Sequence, residues 1–263
     1  MPEFAGTAGT VHHRSWVPAD PRVLVVLLHG LGEHVGLYEP FAAALNDAGI
    51  AVWALDHAGH GRSDGVRVLI NSVDTLLDDA GTLIDLARAA HPELPFVLIG
   101  HSLGSTLTVL LVGERKVPAS ALVLAGSSLV PSGESALVAL LATGIDPMDI
   151  RKDPSEMTRN EAYAQQIRDD PLTWQGGIRL ETLQALGTAA GRVAAVIESV
   201  TVPTLLVHGA EDDLAPAAGA ERAAELLPNG KAVIFPNDLH NILNEIDRDE
   251  VYRVVIEFVR TVS

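Results

Sequence analysis

The chain contains no cysteine. That excludes disulfides, thiolate nucleophiles and cysteine-based metal sites, and it leaves the compartment open, since a thiol-free protein tolerates any redox state. Positive charge is scarce too. Lys and Arg number 18 against 34 Asp and Glu, a formal net charge of −16 at pH 7. This disfavours a nucleic-acid partner, which wants a basic face, and electrostatic docking on anionic lipid, but not a neutral lipid substrate. No apolar run approaches the roughly 18 residues of a membrane span. The first twenty residues lack the basic start and apolar run of a signal peptide, so a cytoplasmic protein is expected. No phosphate loop opens a helix, which leaves nucleotide binding unsupported.

What is present is apolar material in a regular rhythm. Hydrophobic residues make up 48% of the 263 and charged residues 20%, enough for a sizeable core. Short, nearly continuous β-branched runs at Val23–Leu28, Ala51–Leu55, Pro95–Ile99, Ala121–Leu124, Thr204–Val207 and Lys231–Phe235 read as strands buried on both faces. Helical patterns alternate with them at Tyr38–Ala48, Asn71–Ala90, Leu103–Glu114, Ala217–Leu227 and Asp247–Val262. The alternation predicts an α/β fold with a mostly parallel, doubly wound sheet. Val11–Trp16 is expected as an antiparallel edge strand beside Val23–Leu28. Between about Ser128 and Ala195 no strand pattern occurs, only an apolar stretch at Ala136–Ile145 and a charged helical stretch around Asp153–Asp169. Residues 1–127 and 196–263 are therefore expected to form the core, and 128–195 an inserted helical cap over the strands' C-terminal ends, where open α/β sheets place their sites.

The pattern G-x-S-x-G, in which glycines let a sharp strand-to-helix turn expose a serine oxygen, occurs twice. Gly100-His101-Ser102-Leu103-Gly104 follows a strand pattern and opens a helical one. Gly61-Arg62-Ser63-Asp64-Gly65 sits in loop composition with no strand entering it. Ser102 is the expected nucleophile and Ser63 a loop serine. A serine hydroxyl needs a base and an acid to orient that base, and in this arrangement they follow in the order acid, then histidine. After Ser102, one strand runs into His208-Gly209-Ala210-Glu211-Asp212-Asp213 and the next into Pro236-Asn237-Asp238-Leu239-His240. His240 is the expected base. Three consecutive acids compete for the third role, of which Asp212 is the choice. The tetrahedral oxyanion needs backbone N–H donors. Leu103, at a helix N-terminus, supplies one, and Leu31 in His29-Gly30-Leu31-Gly32-Glu33-His34 is the candidate for the second. The histidines at 12, 13, 57, 60, 91 and 101 lack metal-ligand spacing on a helix, so neither metal nor organic cofactor is expected.

These residues resemble the α/β-hydrolase superfamily from about residue 10 to 262. Within it the chain is similar to the monoacylglycerol lipase and lysophospholipase-like group. The likeness rests on His29–His34 with Tyr38 downstream, on Asp56-His57-Ala58-Gly59-His60-Gly61-Arg62-Ser63-Asp64-Gly65, on the elbow at Ser102, and on His208-Gly209 leading to Asp212. It extends to His240 with Asn244-Glu245 and to Asp170-Pro171-Leu172. The resemblance implies a serine hydrolase of single-chain lipid esters with Ser102, Asp212 and His240 as triad and Leu31 and Leu103 as oxyanion donors. A general carboxylesterase on short esters and a non-catalytic binder of small ligands stand as alternatives. The apolar stretch near Leu140 reads either as the inward wall of an acyl tunnel or as a surface making transient contact with lipid.

Overall fold

Alternation along each apolar run determines where its side chains go. In Val23–Leu28 every residue is buried. Leu24, Val26 and Leu28 enter one core, and Val23, Val25 and Leu27 the other. A strand with both faces covered needs helices on both sides, and the computed structural model, which describes residues 2–130 and 144–262, has them. In chain order the elements are β1 (Glu3–Gly6), β2 (Gly9–Trp16), β3 (Val23–Leu28), α1 (Glu39–Asp47), β4 (Ile50–Leu55), α2 (Val73–Ala90), β5 (Phe96–His101) and α3 (Leu103–Gly113). There follow β6 (Ala121–Ala125), α4 (Glu161–Asp169), α5 (Leu180–Val196), β7 (Thr204–Gly209), α6 (Ala217–Leu226), β8 (Gly230–Phe235) and α7 (Arg248–Val259).

The eight strands lie in the order β1-β2-β4-β3-β5-β6-β7-β8, parallel from β4 to β8. Residues from α2, α3, α5 and α6 build one core, and α1 and α7 cover the other face. The six expected strands all form, within one or two residues of the sequence reading.

One pairing differs from expectation. β2 is antiparallel, but it pairs with β4, Ser15 opposite Trp53, and not with Val23–Leu28. β3 has only two edges, and parallel neighbours β4 and β5 occupy both. Nor is β2 the edge strand, because β1 folds back along it.

Between β6 and β7 the charged stretch yields α4 over its second half, and a second helix, α5, lies where no helical pattern was read. Ala185, Ala189 and Val193 of α5 join the same core as Leu107 and Leu111 of α3. The apolar stretch at Ala136–Ile145 lies outside the described residues apart from Gly144 and Ile145. No described helix is long and apolar enough to cross a membrane.

Candidate active site

The chain turns sharply from β5 into α3 at Ser102, whose backbone stands at φ 50° and ψ −113°. A non-glycine residue held at positive φ costs on the order of 1–3 kcal/mol and persists only where its surroundings impose it. Here they do. Ser102 N–H donates to the Ala125 carbonyl at the end of β6 at 2.9 Å. The Ser105 hydroxyl donates back to the Gly100 carbonyl at 2.7 Å. A Cβ on Gly104 would sit 1.9 Å from the Leu28 carbonyl oxygen. The first turn of α3 is thus pressed on the end of β3, where the loop bearing Leu31 begins. Ser102 and Leu31 are half-buried.

The second G-x-S-x-G serine is used differently. Ser63 donates to the Asp56 carbonyl at 2.6 Å and accepts from His12 N–H at 2.9 Å. Buried and committed to two backbone partners, it joins the loop after β4 to β2.

The three consecutive acids separate by environment. Glu211 is exposed and ion-paired with Arg159, and Asp213 is exposed with Lys152 at 2.5 Å. Asp212 is buried. Its Oδ1 accepts Leu214 and Ala215 N–H at 3.0 and 2.9 Å, and its Oδ2 lies 2.8 Å from His240 Nδ1 and 3.1 Å from His208 Nε2. Burial works against the Asp212 charge, but the bonds from His208, His240 and the backbone hold its carboxyl well below the usual range. The loop bearing His240 lies directly on the end of β7. A Cβ on Gly209 would meet the Asp238 carbonyl oxygen at 2.2 Å, and Glu211 N–H donates to that same oxygen at 3.0 Å.

A buried network that sequence reasoning missed connects the loops. Glu33 accepts Gly30 N–H at 2.7 Å and the Tyr38 hydroxyl at 2.5 Å, and His101 Nδ1 lies 3.1 Å from the same oxygen. His101 Nε2 lies 3.2 Å from the His240 carbonyl oxygen, and the two rings are 5.2 Å apart. One carboxylate therefore reaches from the loop of Leu31, through the residue beside Ser102, to His240. Burial opposes its charge, but His101, Tyr38 and Gly30 outweigh that and bring the Glu33 carboxyl down to about 2. In turn, burial disfavours a charged His101, and Glu33 overcomes it and raises the imidazole. In sequence Glu33 is a lone acid in a glycine loop, the pattern of a solvated charge.

The remaining loop histidines serve the backbone. His29 Nδ1 lies 2.7 Å from the Gly30 carbonyl, and His29 Nε2 accepts His57 N–H at 3.0 Å. His60 Nδ1 lies 3.0 Å from the Ala58 carbonyl. The segment between β6 and β7 also reaches the Leu31 loop: Trp174 N–H donates to Gly32 O at 2.8 Å, and His34 Nε2 lies 2.8 Å from Asp170 Oδ2.

A strained serine, a buried histidine–carboxylate pair and a loop of glycines at one sheet edge suit acyl transfer through a serine ester. The comparisons agree. A family model described as serine aminopeptidase, S33, matches residues 19–247. The monoacylglycerol lipase of Mycolicibacterium smegmatis is 31% identical over 268 residues, covering 97% of this chain and 95% of that protein. The human monoglyceride lipase is 31% identical over 221 residues, covering 81% and 73%. Among solved structures, the monoacylglycerol lipase of Paleococcus ferrophilus superposes with a TM-score of 0.81 at 27% identity, covering 96% of this chain and 99% of that one. A carboxyl esterase from Bacillus coagulans shares the fold with a TM-score of 0.82 at 22% identity, covering 99% and 97%. The chain has the α/β-hydrolase fold and belongs to the family of serine hydrolases described as serine aminopeptidase, S33.

Proposed function

We propose that this protein hydrolyses monoacylglycerols to glycerol and free fatty acid. The observation that carries the reading is the buried His240–Asp212 pair beside the strained Ser102 turn. The likeness to monoacylglycerol lipases over nearly the whole chain supports the substrate. With Nδ1 engaged by Asp212, His240 Nε2 is the nitrogen left to take the proton of Ser102 Oγ as that oxygen attacks the ester carbonyl. The oxyanion that forms is met by the N–H groups of Leu31 and Leu103. Collapse breaks the ester bond, and His240 returns its proton to the departing glycerol oxygen, leaving an acyl group on Ser102. Water then attacks that acyl group. His240 takes the water's proton, and Ser102 leaves protonated as the fatty acid departs. Asp212 stabilises the imidazolium in both halves.

In this reading the segment 128–195 acts as a cap that selects the acyl chain. Its apolar stretch around Leu140 meets the lipid, either as the wall of an acyl tunnel or at a lipid surface. Leu140→Asp separates the two. Loss of turnover on monoacylglycerol dispersions alone favours the surface, and loss on soluble esters as well favours the tunnel.

Fatty-acid release from a long-chain monoacylglycerol, the matching diacylglycerol, a lysophospholipid and a short-chain soluble ester tests the substrate, with the Ser102→Ala protein as blank. Preference for the monoacylglycerol is the expected result. Preference for the short ester would make this a general carboxylesterase, and no turnover from folded protein would leave a ligand-binding relative.

A further inference from the structure

A second buried carboxylate lies behind His240 and is not part of its ion pair. Glu245 is 1% exposed. It accepts Leu239 N–H, from the residue before His240, at 3.1 Å, and its own neighbour Ile246 N–H at 3.3 Å. Its remaining partner comes from 86 residues away: Arg159 N–H, at 3.1 Å from Oε1 and 2.8 Å from Oε2. A carboxylate buried without these donors would be strongly unfavourable, so their number and convergence argue for a built contact.

Two further bonds join the same segments. Asn241 N–H donates to the Met157 carbonyl at 2.8 Å, and Asn160 Nδ2 to the Asn244 carbonyl at 3.1 Å. The Arg159 guanidinium, meanwhile, pairs with Glu211, the residue before Asp212. Residues 157–160 thus brace the loop of His240 through both backbone and side-chain bonds, and the loop of Asp212 through the Arg159 side chain.

We propose that Glu245 is a positioning residue for His240: its carboxylate fastens the base-bearing loop to residues 157–160, so that the imidazole is registered on Asp212 and Ser102 only while that part of the inserted region is docked. This rests on the reading of His240 as the general base. Glu245 touches neither substrate nor the reacting atoms. It acts by holding Leu239 and Arg159 N–H on one anchor. A glutamine would offer one oxygen and turn an amide group toward the other donors, loosening the loop with little change in volume. A misplacement of about 1 Å at a catalytic group is enough to cost on the order of 10²-fold in rate.

The test uses the full chain and a soluble short-chain ester, with active serine counted by end-point titration with a fluorophosphonate. Glu245→Gln is expected to lower kcat per titrated site about 10- to 100-fold while KM stays within about two-fold. Asn160→Ser keeps a side-chain oxygen to cap α4 but loses the bond to Asn244, and is expected to lower kcat about three-fold with the fold intact. It carries the test if the glutamine variant does not fold. A lower melting temperature with kcat per titrated site unchanged in both variants would make Glu245 a purely structural residue and overturn the proposal. His240→Ala is the control. If that protein retains turnover, the reading of the base itself fails, whatever the Glu245 variants do.

Discussion

Ser63 and Ser102 carry the same five-residue pattern and differ in everything the fold adds. Ser63 has both hydrogen-bonding directions satisfied by backbone, whereas Ser102 stands at a positive φ between a strand and a helix. Ser102→Ala is therefore expected to reduce ester turnover by about 10³-fold or more, and Ser63→Ala to keep most of it per folded molecule with a loss of about 1–3 kcal/mol in stability. Initial rates on a soluble ester, paired with denaturant melts, check both. Asp238 gives a prediction of another kind. Burial, with Asp247 and Glu245 nearby, pushes its carboxyl up to about 7 against the partial relief of Arg159. In the unfolded chain an aspartate titrates near 3.9, so the folded state keeps this proton to higher pH. Its contribution to stability is then full below about pH 4, is lost as pH rises toward about 7, and changes little above that. Asp238→Asn, which keeps a donor for Asp247, is expected to melt higher than the parent at about pH 8 and level with it near pH 4. Equal melting at both values would show that Asp238 is not held protonated. At this scale the Ser102 turn and the pairing of His240 with Asp212 were legible, since motif, chain order and residue type all point to them. Glu33 and Glu245 were not. An acid in a loop has the same sequence context whether the fold leaves it in water or closes backbone N–H groups around it.

Among elements, β3 to β8 were legible to within one or two residues, because runs such as β3 and β5 are buried on both faces and show as unbroken apolar stretches, whereas the short, half-exposed β1 was not read. Pairing was less so. The partner of β2 depends on which edges of β3 remain after two parallel neighbours have docked, and nothing in Gly9–Trp16 records that. Helix α5 escaped because its buried positions, Thr182, Leu183, Ala185, Ala189 and Val193, include a threonine and only two large apolar residues, and Gly187 and Gly191 interrupt its length. These contacts yield a paired test on glycine. An added Cβ at Gly104 would overlap the Leu28 carbonyl, which is backbone and cannot turn aside, whereas one at Gly191 meets nothing within 4 Å. Gly104→Ala is expected to abolish activity or soluble folding. Gly191→Ala is expected to stabilise by roughly 0.4–1 kcal/mol, since it narrows the unfolded chain's freedom and suits a helix interior. Urea titration of both proteins measures the contrast.

For the whole molecule, the formal charge of −16 bears on the product more than on the substrate. A monoacylglycerol is neutral and a fatty acid at neutral pH is an anion. The protein's field opposes rebinding of the acid, and salt screens that field over a Debye length of about 8–10 Å at physiological ionic strength. Inhibition by added fatty acid is expected to strengthen by several-fold between about 20 and 300 mM salt, while KM for the neutral ester stays within two-fold. An inhibition constant independent of salt would show that the acidic surface plays no part in product release.

The order in which the loops occur along the chain has a consequence for the protein's synthesis. The serine turn and the Leu31 loop precede β6, while Asp212, His240 and Glu245 follow β7. A ribosome-bound chain can lay down β3, β5 and the strained turn well before His240 exists. Until Asp212 and His240 emerge, the nascent polypeptide carries Ser102 without the histidine proposed to take its proton, so on that reading hydrolytic competence follows the synthesis of β8.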